Sequence, residues 1–154
     1  MPPKPLVPKQ VKHYGDAGAG RVIPFIPRDV QTTVLLPENA DENEHGTVTI
    51  RGHSLEGHFI FDGDTLLFCR KFTKRDVTER ALGVLWVKSA GEIMVKKVLF
   101  DTQGMLRLRS SAEGEKDLLF EAEDVDIWGI GIGIQRMWGM GGRIPGRFDP
   151  DIPF

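Results

Sequence analysis

Residues 82–109, LGVLWVKSAGEIMVKKVLFDTQGMLRLR, decide the fold class. Short apolar runs rich in β-branched and aromatic residues alternate here with turn signals, which is the pattern of strands. Val84–Lys88, Glu92–Phe100 and Met105–Arg109 are predicted strands, and Asp101-Thr102-Gln103-Gly104 is a turn between the last two. In Glu92–Phe100 the alternation puts Met94, Lys96, Val98 and Phe100 on one face and Ile93, Val95, Lys97 and Leu99 on the other. Each mainly apolar face therefore carries one lysine. A lysine on a strand edge keeps the edge soluble, whereas a lysine on a buried face loses water and is pushed toward its neutral form. Alternation alone does not choose between Lys96 and Lys97.

The same grammar extends outward. Thr33–Leu36, Thr47–Arg51, Thr65–Arg70, Asp117–Glu121 and Ile127–Arg136 read as further strands. Asp62-Gly63-Asp64 reads as a hairpin-type turn between Phe59-Ile60-Phe61 and Leu66-Leu67-Phe68, and Gly114 marks another turn. No stretch sustains helical periodicity over three turns; Ser54–Phe59 and Lys74–Arg80 suit single helical turns. The expected class is mainly β, with few short helices.

The ends differ. Six of the ten prolines fall within the first 28 residues, and Pro145, Pro150 and Pro153 crowd the last ten. Proline lacks a backbone donor, so neither end suits a regular helix or a central strand. Residues 1–19 are expected to be a flexible arm, 20–138 the folded domain and 139–154 a flexible tail. Ala17-Gly18-Ala19-Gly20 marks the junction of arm and body.

Composition narrows the function. The chain has 154 residues, suiting one domain, and a net charge of −2, which argues against a chain-wide grip on nucleic acid. The lone cysteine, Cys69, is expected to be a buried apolar residue; it excludes an internal disulfide and any multi-cysteine metal site and suits a reducing compartment. The longest apolar runs, Ala81–Val87 and Ile127–Ile134, are far shorter than the ~18 residues of a membrane helix. No apolar signal segment opens the chain, so a cytoplasmic protein without membrane contact is expected. The first 50 residues offer no packed helices for reading DNA.

The densest polar cluster is Arg51-Gly52-His53-Ser54-Leu55-Glu56-Gly57-His58, followed by Asp62-Gly63-Asp64. Three chemistries compete there. His53 and His58, with a carboxylate and His45, could hold a metal, although a His-x4-His spacing is not a usual zinc motif. Ser54 could form a triad with His53 or His58, although triad members normally come from distant segments. The cluster could also be a polar loop beside a turn.

A resemblance orders these options. Arg51–Leu67, RGHSLEGHFIFDGDTLL, resembles the serine-nucleophile motif of the LexA/UmuD family of self-cleaving peptidases: a small-residue turn, Gly-x-Ser, then hydrophobic-Asp-Gly-Asp-hydrophobic. Glu92–Leu99 resembles that family's Glu-x-x-Val-Lys strand, whose lysine is the general base and aligns with Lys96. Asp126–Ile134, DIWGIGIGI, resembles its closing strand, which helps form the dimer. Family members cut themselves at a small-residue bond ending in glycine; Ala19 lies 35 and Ala17 37 positions before Ser54, in the family's range. The resemblance spans about 20–138. It departs at Leu55, where methionine is usual, in the 42-residue gap from Ser54 to Lys96, and in the absence of an Asn-…-Pro segment near Arg109–Gly114.

The resemblance implies a twisted, partly open β-barrel-like peptidase domain. It implies a Ser54/Lys96 dyad, with Gly52 and Leu55 supporting the turn and the oxyanion, that cuts Ala19-Gly20 or Ala17-Gly18. No metal or cofactor is expected. The implied partners are a second copy, a RecA–single-stranded DNA filament as activator in the DNA-damage (SOS) response, and a translesion DNA polymerase or a DNA-binding repressor. Direct nucleic-acid binding is not expected. Two alternatives stay open: a regulatory or dimerisation domain of a LexA-like or prophage repressor, and a non-cleaving binding module with the same fold. A lysine of ordinary pKa is neutral in only about one molecule in 2,500 at pH 7, so the dyad requires a desolvated lysine.

Overall fold

The computed structural model describes residues 5–20, 30–77, 81–100, 103–109 and 116–136. Among the described residues, nine strands form one mixed sheet: β1 (Leu6–Gly18), β2 (Val30–Pro37), β3 (His45–Arg51), β4 (Thr65–Cys69), β5 (Leu82–Val87), β6 (Glu92–Phe100), β7 (Met105–Arg109), β8 (Leu118–Glu121) and β9 (Val125–Gln135). Helical structure among the described residues is confined to short 3-10 turns, at Glu42–Glu44, Glu56–His58, Lys74–Asp76 and Ala122–Asp124. The mainly β class read from the sequence is the observed one.

The strand order is β2-β1-β3-β4-β9-β5-β6-β7-β8, with an additional pairing of β1 to β6. That pairing, Gly18 beside Met94 in parallel, nearly closes β1, β3, β4, β9, β5 and β6 into a ring. The ring is filled by Ala17, Ala19, Val48, Ile50, Leu55, Ile60, Leu66, Phe68, Val84, Ile93 and Val95. On the other side of β6, Met94 and Val98 pack with Leu85, Val87, Leu106, Leu108 and Val125. β6 is apolar on both faces because it separates two cores. Its neighbour Gly83 faces Val98, whose methyl would lie 2.7 Å from an added Cβ, so a side chain there would collide with the second core.

Three expectations are corrected. Residues 6–18 are not an irregular arm: β1 pairs with β2 from Leu6↔Pro37 to His13↔Val30 and with β3 from Lys12↔Gly46 to Gly18↔Arg51. Proline is accommodated because Pro8 lies before the β3 pairing begins, where β1 pairs with β2 at Leu35. Phe59-Ile60-Phe61 is not a strand. It follows the Glu56–His58 turn, and the Asp62–Asp64 turn leads from that loop into β4. Cys69 is half-buried rather than buried, its Sγ 3.4 Å from the Lys71 carbonyl. The tail 139–154, residues 101 and 102 of the turn before β7, and Gly114 lie outside the described residues.

Candidate active site

The site forms where the end of β1 meets the turn after β3. Arg51 ends β3, and Gly52 then turns the chain with φ +115, a conformation that side chains disfavour. The Gly52 amide donates to Asp62 Oδ1 at 2.9 Å, which ties the start of the loop to its far side. Ser54 follows, 3% exposed, and Leu55 sinks fully into the core. The buried Leu55 fixes the loop as a plug: its carbonyl accepts from the amides of His58 (2.9 Å) and Ile60 (3.3 Å).

The seating of β1 at this loop is the central observation. The Ala19 amide donates to the Arg51 carbonyl at 2.7 Å, and the Ala19 carbonyl accepts from the Ser54 amide at 3.1 Å. Ala17 and Ala19 have no exposed surface and belong to the core that fills the ring. Gly20 follows at the surface with φ +82. Of the two Ala-Gly bonds, it is Ala19–Gly20 whose carbonyl meets the Ser54 amide; Ala17 is paired instead within the ladder, opposite Ile50.

β6 forms the opposite wall. Gly18 pairs with Met94 in parallel, and Lys96 lies two residues further along β6, in the direction in which β1 runs to Gly20. Lys96 is 6% exposed, whereas Lys97 is half-buried. Burial therefore distinguishes the two lysines that alternation left equivalent. Lys97 lies close enough to His58 to lower its pKa; desolvation lowers it more, so the imidazole is held below its ordinary 6.5.

The histidines do not assemble. His53 is exposed and pairs with Glu56 at 2.7 Å, and His45 Nδ1 meets the Asp41 carbonyl at 2.7 Å. Among the described residues no group of three histidine, cysteine or acidic side chains could hold a metal. The loop is supported by a pairing that sequence reading did not foresee. Asp64, 2% exposed, accepts the Phe61 amide at 2.8 Å and two hydrogen bonds of 2.7 Å from Arg136. Arg136 also donates to the carbonyl of Phe59, at 3.0 Å; Phe59 is held at φ +61, unusual for a side chain of that size. The Asp-Gly-Asp sequence signalled a turn, but nothing local signals a partner 72 residues away.

No protein-family model matches the sequence, and no curated protein matches it at a significant level.

Proposed function

We propose that the protein is a Ser/Lys self-cleaving peptidase of the LexA/UmuD kind that cuts its own chain between Ala19 and Gly20. The observation that carries this reading is the hydrogen bond from the Ser54 amide to the Ala19 carbonyl. It puts the candidate nucleophile's own N–H on the oxygen that becomes negative during attack, which is what an oxyanion-stabilising donor must do.

The chemistry follows from the residues. Ser54 Oγ attacks the Ala19 carbonyl carbon and its proton passes to Lys96 Nζ. The tetrahedral oxyanion keeps the Ser54 amide hydrogen bond. Collapse breaks the C–N bond, and the Gly20 amine leaves with the proton from Lys96. Water, deprotonated by Lys96, then hydrolyses the Ala19 ester and restores the serine. Lys96 suits the base because removal from water favours the neutral amine. The substrate is tethered, and just before the bond it is already paired with β3 and, at Gly18, with β6, so orientation is supplied before chemistry begins.

Partners belong to the same proposal. Leu6, Leu35, Ile132 and Ile134 are exposed apolar residues along a groove of about 680 Å³ between the β1–β2 hairpin and β9, a surface that supports pairing with a second copy. A RecA–single-stranded DNA filament would act in this reading by favouring the seated strand. A translesion polymerase or a repressor would be the downstream partner.

The test is intact-mass spectrometry after incubation at pH 7 and near pH 10, where the lysine loses its proton without an activator. The expected result is scission after Ala19, abolished by Ser54→Ala, slowed about 10²–10⁴-fold by Lys96→Ala and retained in Lys97→Ala. An intact chain at both pH values and with an activating filament would overturn self-cleavage in favour of the non-cleaving binding module.

A further inference from the structure

We propose that the seat formed by β2, β3 and the end of β6 is a strand-binding site that retains residues 6–19 after the Ala19–Gly20 bond is cut. Cleavage then yields a nicked, two-piece protein rather than a trimmed one. This rests on the self-cleavage reading for the origin of the cut, but not for the binding site itself.

The segment upstream of the bond is held along its whole length, in two successive ladders. Leu6–His13 pair with β2, Lys12–Gly18 pair with β3, and the last residue also bridges to β6. Its departure would open both ladders and the seam of the ring. It would also uncover a satellite core, because Val11 of β1 packs with Val34 and Leu36 of β2, all three buried. Cutting one peptide bond at the end of β1 removes none of these contacts.

One side chain anchors the strand. The Tyr14 ring packs against Phe68 at 5.6 Å and Trp128 at 5.2 Å between centroids. It occupies a notch that exists because residue 46 is glycine: a Cβ there would lie 2.6 Å from the Tyr14 ring. His13 adds a polar clamp, its Nδ1 lying 2.8 Å from Thr47 Oγ1 on β3. Just beyond, the register steps between His13 and Asp16, with Gly15 at φ +100, and this bulge delivers Ala17 and Ala19 into the core. An aromatic anchor in a notch, with ladder hydrogen bonds along the backbone, is how extended peptides are held by sheets. An outside segment enters this seat only by displacing β1.

The experiment follows the fragment. The full chain is allowed to cleave at alkaline pH, returned to neutrality and passed through a sizing column, and the eluted protein is weighed under denaturing conditions. Residues 1–19 are expected to co-elute with 20–154, and a labelled peptide of residues 5–19 in excess is expected to exchange in. The same peptide carrying Tyr14→Ala should compete at least about tenfold less well. Prompt loss of the fragment, or equal competition by the two peptides, overturns the proposal. In parallel, a Ser54→Ala chain with a site-specific protease sequence inserted after Arg21 is nicked externally. If the native chain does not cut itself, self-cleavage fails alone; retention of the fragment in the externally nicked chain still supports the strand site, and its release overturns it.

Discussion

The carbonyl of Ala19 accepts a hydrogen bond from the amide of Ser54 at 3.1 Å, while the amide of Ala19 donates to the carbonyl of Arg51 at 2.7 Å. A residue held at both its N–H and its C=O cannot slide along the groove without losing both bonds. This selects one of the two Ala-Gly bonds that the sequence leaves equivalent. N-terminal sequencing of the large fragment should therefore begin at Gly20, not Gly18. Ala19→Leu should abolish scission by unseating the strand, at a stability cost of about 1–3 kcal/mol, because the residue is fully buried in the core. A product that begins at Gly18 would refute the assignment.

The Arg136–Asp64 pair predicts an effect on stability. Asp64 is 2% exposed, and Arg136 supplies two of its hydrogen bonds. Arg136→Met would leave a buried carboxylate without its cation, a loss of about 3 kcal/mol in chemical denaturation. Because Arg136 also holds the Phe59 carbonyl, scission should slow as the Ser54 loop loosens. Unchanged denaturation midpoints would contradict this account.

The glycines of β9 are not equivalent. A Cβ on Gly129 would lie 2.6 Å from the Cys69 carbonyl oxygen and 2.5 Å from the Phe68 ring, and backbone cannot swing aside. Gly129→Ala is expected to destabilise by about 1–3 kcal/mol. Nothing lies within 4 Å of a Cβ on Gly133, so Gly133→Ala should be neutral or slightly stabilising, by up to about 1 kcal/mol. Urea unfolding of the two variants side by side checks the contrast.

His58 gives the protein a pH-dependent stability. Burial, and secondly the charge of Lys97, depress its pKa below 6.5 in the folded state. The unfolded chain then binds a proton that the native chain resists, so stability falls as pH drops from about 6.5 towards the folded-state value. His58→Gln should reduce the slope of stability between pH 7 and pH 5. NMR titration should show the imidazole pKa rising in Lys97→Gln, by less than the remaining burial shift. A His58 pKa unmoved by Lys97→Gln would exclude the ion as a cause.

Most of the sheet is written in local sequence. β2 to β9 were legible because their alternation and turn residues are local properties, and the boundaries of Glu92–Phe100 and Met105–Arg109 were read to the residue. Ser54, Lys96 and the Ala-Gly junction were named as candidates from residue types and their order. The tertiary structure decided the rest. β1 was missed because Leu6–Gly18 is proline-bearing and weakly apolar; its order comes from partners on β2 and β3 that lie 17 to 34 residues away. The choice between Lys96 and Lys97 required burial, which alternation on a strand apolar on both faces cannot supply. The Asp64–Arg136 tie and the Tyr14 notch at Gly46 join residues distant in the chain. Local preference is written within a few residues, whereas desolvation, steric fit and pairing between distant segments exist only once the ring has formed.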